Sequence, residues 1–272
     1  MTSASAPAKI NLALVVGPRR ADGKHEVATV LQRVDLADSL VLEPADDLRV
    51  SGFAEDTIVA AALSRLAHAA RVAPAWHVAI DKRIPVAAGL AGGSSDAATA
   101  LRLANDTLAE PLPPVRLAEL AAAVGSDVPF FLEPGPQLGT GDGAQLRPLA
   151  LPDAYHVVLF LPDGAGKEST TAVYEAFDRR QGEAGYEVRR RTLFAAIERV
   201  GESRDLAKLP RNDLASSAHA PELERLGAFR ADVSGAGPVV YGLFDDMEFA
   251  HGAATALRHL GTTWICSPTW YG

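Results

Sequence analysis

The sequence predicts an α+β protein with two lobes. Residues 76–80 alternate between large apolar side chains and small or polar ones, which predicts a β-strand, whereas Ala97, Leu101 and Ala104 recur at the spacing of one helix face. Residues 157–161 are entirely apolar, so a short strand there is a reasonable start for a second lobe. The chain has 272 residues, enough for two units, because one domain usually has roughly 100–200 residues. We therefore place a boundary near residue 150, between lobes 1–150 and 151–272.

The other elements follow from the same periodicities. Alternation predicts strands at residues 8–16, 26–34 and 39–42 and a strand–turn–strand unit at 231–244. Helical patterns occur at 57–70, 117–124, 171–179, 191–200, 222–226 and 249–260. We expect Gly125 to end the second of these helices from the C′ position. We expect a loop at 134–143, where glycines are frequent.

The glycine-rich run 85–97 is the most informative segment for function. It lies between the predicted strand at 76–80 and a helical pattern, so its bare backbone N–H groups and the helix N-terminus can approach an anion. Ser94 and Ser95 add hydroxyls that can bind a phosphate oxygen or ligate Mg²⁺. The spacing is neither that of Walker A nor that of the dinucleotide-binding fingerprint, and such a run alone is also compatible with a plain loop. Its context favours a polyphosphate, foremost ATP.

Three further features can carry chemistry, and each has a simpler structural explanation. The run 234–238 combines Ser234 with glycines that permit close backbone approach, but it also fits a hairpin turn. Asp127 places a carboxylate just beyond a helix end, where it can also cap the next helix. Lys9 would ordinarily be a solvated lysine, but its place within an apolar run is compatible with partial burial beside an anion.

Composition excludes several classes of function. The net charge of −8 provides no general attraction to nucleic acid or to anionic membranes. Cys266 is the only cysteine, which excludes an internal disulfide, and the histidines other than His25 lack metal-ligand spacing. The start of the chain does not resemble a signal peptide, and no apolar run approaches a membrane span. We expect a reduced, cytoplasmic protein that has no metal site of its own.

Taken together, three segments resemble the GHMP kinase superfamily of small-molecule kinases. Residues 7–12 resemble its first motif, residues 85–95 its phosphate loop and residues 234–238 its third motif, in the same order. The resemblance implies an α+β, two-lobe GHMP kinase fold with a ribosomal-S5-domain-2-like N-terminal lobe and a ferredoxin-like C-terminal lobe. It also implies that Mg²⁺, ATP and an alcohol substrate meet in the cleft between the lobes.

Residues 20–26, 81–85, 125–131 and 169–174 resemble a branch of this superfamily whose substrate is cytidine diphosphate methylerythritol, an isoprenoid precursor of the non-mevalonate pathway. The resemblance implies that Asp127 accepts the proton of the attacking hydroxyl and that Lys9 offsets charge beside it. It assigns ATP to Lys82, Pro85, Gly89, Leu90, Ala91, Gly92, Gly93, Ser94 and Ser95. It assigns the substrate to Asn11, Lys24, His25, Thr170, Tyr174, Ser234 and Gly235, with His25 at the edge of the cytosine and Tyr174 on its face.

The chain departs from that branch at Lys24, where tyrosine is usual and closes one side of a cytosine sandwich. The lysine can lie across the base with its stem or as a cation over the ring, or it can project into solvent. Three hypotheses therefore stay open: a kinase for the cytidylylated alcohol, a sister kinase for another alcohol, and a nucleotide-binding protein without catalysis. Monomer and homodimer are both compatible with the sequence.

Overall fold

The computed structural model describes residues 1–53, 58–165 and 169–270. Its strands are β1 (Thr2–Arg19), β2 (His25–Pro44), β3 (Arg49–Ser51), β4 (Trp76–Asp81), β5 (Gln137–Gly141), β6 (Gln145–Pro148), β7 (His156–Pro162), β8 (Arg230–Val233), β9 (Val240–Phe244), β10 (Gly261–Cys266) and β11 (Pro268–Thr269). Its α-helices are α1 (Ile58–Ala70), α2 (Gly92–Asn105), α3 (Pro114–Val124), α4 (Thr170–Arg179), α5 (Tyr186–Ile197), α6 (His219–Arg225) and α7 (Met247–Leu257). Two short 3-10 segments lie at Pro129–Leu132 and Ser203–Lys208.

The larger, seven-stranded sheet is organised around β2. Strand β1 pairs antiparallel with β2 along nearly its whole length. Strands β5, β11 and β4 pair in turn with successive parts of β2, while β6 and β3 extend the sheet outward from β5 and β4. Since β1 and β2 are buried over much of their length, they form the centre of the molecule.

Helices α1 and α2 pack together against the larger sheet, and α3 packs beside them. Leu63 of α1, Leu101 of α2, Leu42 of β2 and Phe130 are fully buried in one apolar cluster. Burying each leucine stabilises the fold by roughly 1.5–3 kcal/mol. This packing holds the N-terminus of α2 in place at the end of the glycine-rich run.

The smaller sheet has four antiparallel strands in the order β10-β7-β9-β8. Helices α4, α5 and α6 connect β7 to β8, and α7 connects β9 to β10. This strand order and connectivity are those of a ferredoxin-like unit, as predicted. One apolar cluster joins the two sheets, since Ile10 and Val15 of β1 share it with Leu159 and Tyr241 of the smaller sheet. The boundary near residue 150 stays a prediction.

Two sequence predictions for the larger sheet were wrong. Residues 26–34 and 39–42 do not form separate strands, because β2 continues through a bulge at which its pairing with β1 shifts register between Val34 and Ala37. Residues 134–143 are not a loop throughout, because β2 offers an edge with which β5 at their centre pairs, and pairing overrides the weak strand propensity of glycine. Gly139 is required there, since a Cβ would lie 2.8 Å from the carbonyl oxygen of Gly143.

Other elements differ in their bounds or conformation. Gly125 ends α3, as predicted, and it does so at the C-cap in an extended conformation with φ −177° and ψ 152°. Helix α5 begins at Tyr186, five residues before the predicted start, and the strands β3, β6, β10 and β11 were not predicted. Helix α1 agrees with the prediction from Ile58 onward, and Thr57 lies outside the described residues.

Candidate active site

A cleft of about 870 Å³ brings together the predicted functional segments. It is lined by the loop between β4 and α2 and by the start of α2, by the turn between β1 and β2, by residues after α3, by α4 and by the turn before β9. All the predicted site residues line this cleft except Leu90, Ser95 and Ser234. Those three are buried, with exposed fractions of at most 1%.

The part of the phosphate loop that precedes α2, residues 85–91, connects β4 to α2 through several left-handed residues. Ala87, Gly89 and Ala91 have φ values of 50°, 83° and 55°. The conformation turns the chain sharply into α2, whose first amides have no partners within the helix. These amides and the positive end of the helix dipole can bind a phosphate group.

Strand β1 and the turn after β8 both form hydrogen bonds to the phosphate loop. The Lys9 backbone N–H donates to the carbonyl of Leu90 at 3.0 Å. The Ser234 hydroxyl donates to the carbonyl of Gly89 at 2.9 Å, and a Cβ at Gly89 would lie only 2.1 Å from the Ser234 carbonyl oxygen. Ser234 therefore contacts the loop in this structure, and its role toward substrate stays a prediction.

Lys9 and Asp127 form an ion pair at the floor of the cleft. Their Nζ and Oδ2 atoms are 3.7 Å apart, and the Lys9 side chain is 4% exposed whereas that of Asp127 is 41% exposed. The Lys9 ammonium also donates to Asn11 Oδ1 at 2.7 Å, and Asn11 in turn donates to Thr29 Oγ1 at 2.8 Å. This chain of hydrogen bonds orients the ammonium, while the carboxylate stays accessible to a ligand.

The turn at residues 234–238 lies beside the Lys9 ammonium. Gly235 has φ 56°, and a Cβ on it would lie 3.5 Å from Lys9 Nζ. Asn212, which was not predicted as a site residue, donates to the carbonyls of Val233 and Gly235 at 2.9 and 2.7 Å. It thereby fixes the turn that approaches Lys9.

Lys82 occupies a buried network under the N-terminus of α2. Its ammonium lies 2.5 Å from Asp38 Oδ2 and 2.7 Å from Asp96 Oδ2. Burial raises the pKa of Asp96 to about 7, even though the hydrogen bond from Lys82 opposes this shift. Burial lowers the pKa of Lys82, but hydrogen bonds to the two carboxylates outweigh it and the net pKa is raised. Lys82 thus joins β2, which carries Asp38, to the start of α2, which carries Asp96, and its contact with a nucleotide stays a prediction.

At the other end of the cleft, His25 packs against α4. Its ring stacks on Tyr174, with centroids 4.7 Å apart and an angle of 26° between the planes. His25 Nε2 lies 2.7 Å from Asp178 Oδ1. Burial raises the pKa of Tyr174, and the charge of nearby Asp127 adds to this shift. One face of Tyr174 is therefore covered by His25 in this structure, and cytosine stacking remains a prediction.

The Lys24 side chain neither crosses the cleft nor projects freely into solvent. Its ammonium lies 2.5 Å from Asp142 Oδ2 and donates to Ser126 Oγ at 3.0 Å. The Ser126 hydroxyl itself donates to the same Asp142 oxygen at 2.9 Å. We call these three residues the Lys24 cluster.

Thr170 is the first residue of α4, and its side chain lies at the exposed rim of the cleft. The preceding Ser169 caps the helix, since its hydroxyl accepts from the N–H of Ala172 at 3.1 Å. The cap fixes the direction in which α4 leaves the cleft. It thereby places Tyr174, one turn later, beside His25.

Sequence reasoning missed several polar residues of this region: Thr29, Asp38, Asp96, Ser126, Asp142, Asp178 and Asn212. Two of them carried a usable signal: Asp178 follows Tyr174 by four residues and so shares its helix face, and Asn212 begins a run, 212–214, that resembles a segment of the same kinase family. Asp38 and Asp142 lie at the site only because strands and turns far apart in the sequence come together. The local sequence pattern does not reveal such pairing.

The site fits magnesium that arrives with a polyphosphate. The described ranges contain no group of three or more His, Cys, Asp or Glu side chains that could enclose a metal ion. Magnesium bound to nucleotide phosphates needs only one or two protein oxygens. The Ser94 hydroxyl lines the cleft, and the buried Ser95 hydroxyl has no hydrogen-bond partner in the described residues.

Comparisons with known proteins agree with this geometry. The model of the GHMP kinases N terminal domain matches residues 57–135. The 4-diphosphocytidyl-2-C-methyl-D-erythritol kinases of Thermobifida fusca and Nocardia farcinica are each 40% identical to this chain over 94% of its length and over 91% and 89% of their own. The chain belongs to this family of GHMP kinases.

Solved structures support the same assignment. A crystal structure of a 4-(cytidine 5'-diphospho)-2C-methyl-D-erythritol kinase is 33% identical, with a TM-score of 0.79, and the match covers 98% of this chain and 99% of that one. A mevalonate kinase that is 13% identical, with a TM-score of 0.78, shows the shared fold alone. Membership of the family confirms the predicted α+β GHMP kinase fold and the prediction of an ATP-dependent small-molecule kinase.

Among the helices of the described ranges, none combines the length and the apolar character that crossing a membrane requires.

Proposed function

We propose that this protein transfers the γ-phosphoryl group of ATP to the 2-hydroxyl group of 4-diphosphocytidyl-2-C-methyl-D-erythritol. The observation that carries the proposal is the Lys9–Asp127 pair, which lies in one cleft with the phosphate loop and with the His25–Tyr174 stack. A kinase needs a base and a cation where the phosphoryl acceptor meets ATP. The names of the relatives support the choice of acceptor.

In this mechanism the substrate hydroxyl oxygen attacks the γ-phosphorus while the bond from that phosphorus to the β,γ-bridging oxygen breaks and ADP leaves. Asp127 accepts the hydroxyl proton, and its exposed carboxylate is accessible for this role. Lys9, fixed by its bond to Asn11, offsets the negative charge of the transferring group.

The phosphate loop holds the polyphosphate by its backbone amides and by the start of α2. The hydroxyls of Ser94 and Ser95 are placed to bind a phosphate oxygen or Mg²⁺, which enters with ATP as part of the substrate. Magnesium supplies charge neutralisation across the phosphates when it is bound. The cytidine end of the substrate then lies toward His25 and Tyr174, at the opposite end of the cleft.

A coupled ADP-release assay with Mg²⁺ and ATP tests the proposal. The cytidylylated substrate is compared with free methylerythritol, homoserine and mevalonate at equal concentrations. We expect turnover with the cytidylylated substrate alone. Turnover with another alcohol in its place identifies a sister kinase, and ATP binding without turnover of any acceptor identifies a nucleotide-binding protein; either result refutes the proposal.

A further inference from the structure

The Lys24 cluster joins three segments that are distant in sequence. Lys24 ends the turn between β1 and β2, Ser126 follows α3, and Asp142 lies in the turn between β5 and β6. The Asp142 side chain is 17% exposed, whereas that of Lys24 is 49% exposed. Hydrogen bonds from Lys24, Ser126 and the Ala144 backbone outweigh burial, so the pKa of Asp142 is lowered and the carboxylate is charged at neutral pH.

The cluster acts on the backbone immediately before Asp127. Ser126 precedes Asp127 in the chain, and its hydroxyl is held between Lys24 and Asp142. On the other side, Val128 is fully buried and its N–H donates to the Gly125 carbonyl at 3.1 Å. The segment that carries Asp127 is therefore restrained on both sides.

Asp127 depends on this restraint because its own side chain is loosely held. In the described part of the chain, its carboxylate has no hydrogen-bond partner, and its 3.7 Å separation from Lys9 is too long for a hydrogen bond. Because few contacts fix this carboxylate, its position depends on the position of the backbone that carries it. The direction of Asp127 is thus set largely by the position of Ser126.

The cluster also reaches the turn that carries His25. Lys24 is adjacent to His25, whose ring stacks on Tyr174. The ion pair with Asp142 consequently connects the turn that carries His25 to the segment that carries Asp127.

We propose that Asp142 and Lys24 are positioning residues that, through Ser126, set the place of the Asp127 carboxylate relative to the substrate-binding turn at His25. This inference rests on the proposed role of Asp127 as the base. Lys24 then does not stack on a substrate base as a tyrosine would, but forms an ion pair with Asp142 that holds the segment carrying Asp127 in place.

A double-mutant cycle tests the inference with steady-state kinetics of ADP release. Because small displacements of a catalytic group are costly, we expect Asp142→Ala and Lys24→Met each to lower kcat about 10-fold, with the KM for ATP changed less than about 2-fold. In an Asp127→Asn background, Asp142→Ala should change the residual kcat less than about 2-fold, since the residue it positions no longer acts as a base.

The exchanged pair Lys24→Asp with Asp142→Lys should recover at least about 3-fold of the lost kcat, because the serine hydroxyl can bond to either arrangement. Lys208→Met is the matched control. It breaks an ion pair to Asp205, whose side chain is 15% exposed, on the 3-10 segment Ser203–Lys208, away from the cleft. This control should leave kcat unchanged.

An equal loss of kcat in both backgrounds overturns the inference, as does a rise in the KM of the alcohol substrate with kcat unchanged, which indicates direct substrate contact. The failure of the proposed function is seen separately in the wild-type protein. If another alcohol is turned over, the same cycle is run with it, and non-additivity there supports the positioning role even though the proposed substrate is wrong. If no alcohol is turned over, both proposals are refuted.

Discussion

Replacing Asp127 by asparagine tests the proposed base directly. Asparagine has the same shape, and because the Asp127 side chain is 41% exposed, losing its ion pair with Lys9 should cost at most about 1 kcal/mol of stability. Lys9 keeps its 2.7 Å hydrogen bond to Asn11, so no buried ammonium is left without a partner. The amide cannot accept the proton, and a positioned base contributes about 10²–10⁴-fold, so kcat should fall at least about 100-fold.

The assay is coupled ADP release at saturating ATP and cytidylylated substrate, with the melting temperature measured on the same preparation. Asp163→Asn is the matched control, because it alters an exposed carboxylate after β7 that does not line the cleft. The KM for ATP should change little, since Asp127 is not assigned to the ground-state binding of ATP. A folded Asp127→Asn protein with kcat within about 3-fold of wild type would refute the argument.

Three substitutions near the phosphate loop have separate expected outcomes. Gly89→Ala should lower the free energy of unfolding by roughly 2–3 kcal/mol and raise the KM for ATP, because its Cβ would lie 2.1 Å from the Ser234 carbonyl at a φ of 83°. Urea unfolding measures the change in stability, with Gly252→Ala as the control. A Cβ at Gly252 has open space in α7, so this control should stabilise the protein by about 0.5–1 kcal/mol. Unchanged stability of Gly89→Ala would contradict the observed packing. Ala87→Gly should stabilise by about 0.5–1 kcal/mol in the same assay, because it relieves a left-handed alanine at φ 50°, and a loss of stability would count against strain there. Asp96→Asn tests the raised pKa of Asp96, whose value of about 7 in the folded state exceeds the ordinary value of 3.8. The free energy of unfolding of wild type, relative to that of this variant, should therefore fall as the pH rises from about 4 to about 7. A pH-independent difference between the two unfolding curves would show that Asp96 does not titrate in this range.

Much of the larger sheet follows from local pattern, but its extent does not. The alternation at 8–16 identifies the centre of β1, and the glycine-rich run after 76–80 identifies the strand–loop–helix unit that forms the phosphate loop. Strand β5 has no comparable signal, because its glycines disfavour a strand unless a partner edge is available. The continuity of β2 through its bulge likewise depends on a partner strand, because β1 pairs with β2 on both sides of the bulge.

The candidate site shows the same division. Lys9, His25 and Asp127 could be named from the sequence because they lie in motifs that resemble a known family. Asp38 could not, because its role depends on meeting Lys82 across two paired strands. The contact of Ser234 with Gly89 also arises only when the two sheets pack together.

The sequence by itself determined the helices, several of the strands, the family and the residue types available for phosphoryl transfer, because periodicity, glycine content and short motifs are local properties. Only the tertiary structure decided what those residues contact. It placed the ammonium of Lys24 on Asp142 and Ser126 rather than across the cleft, and it placed Lys82 between two buried carboxylates. Such contacts join residues 14 to 118 positions apart, and their energies depend on burial and distance, which exist only once the chain has folded.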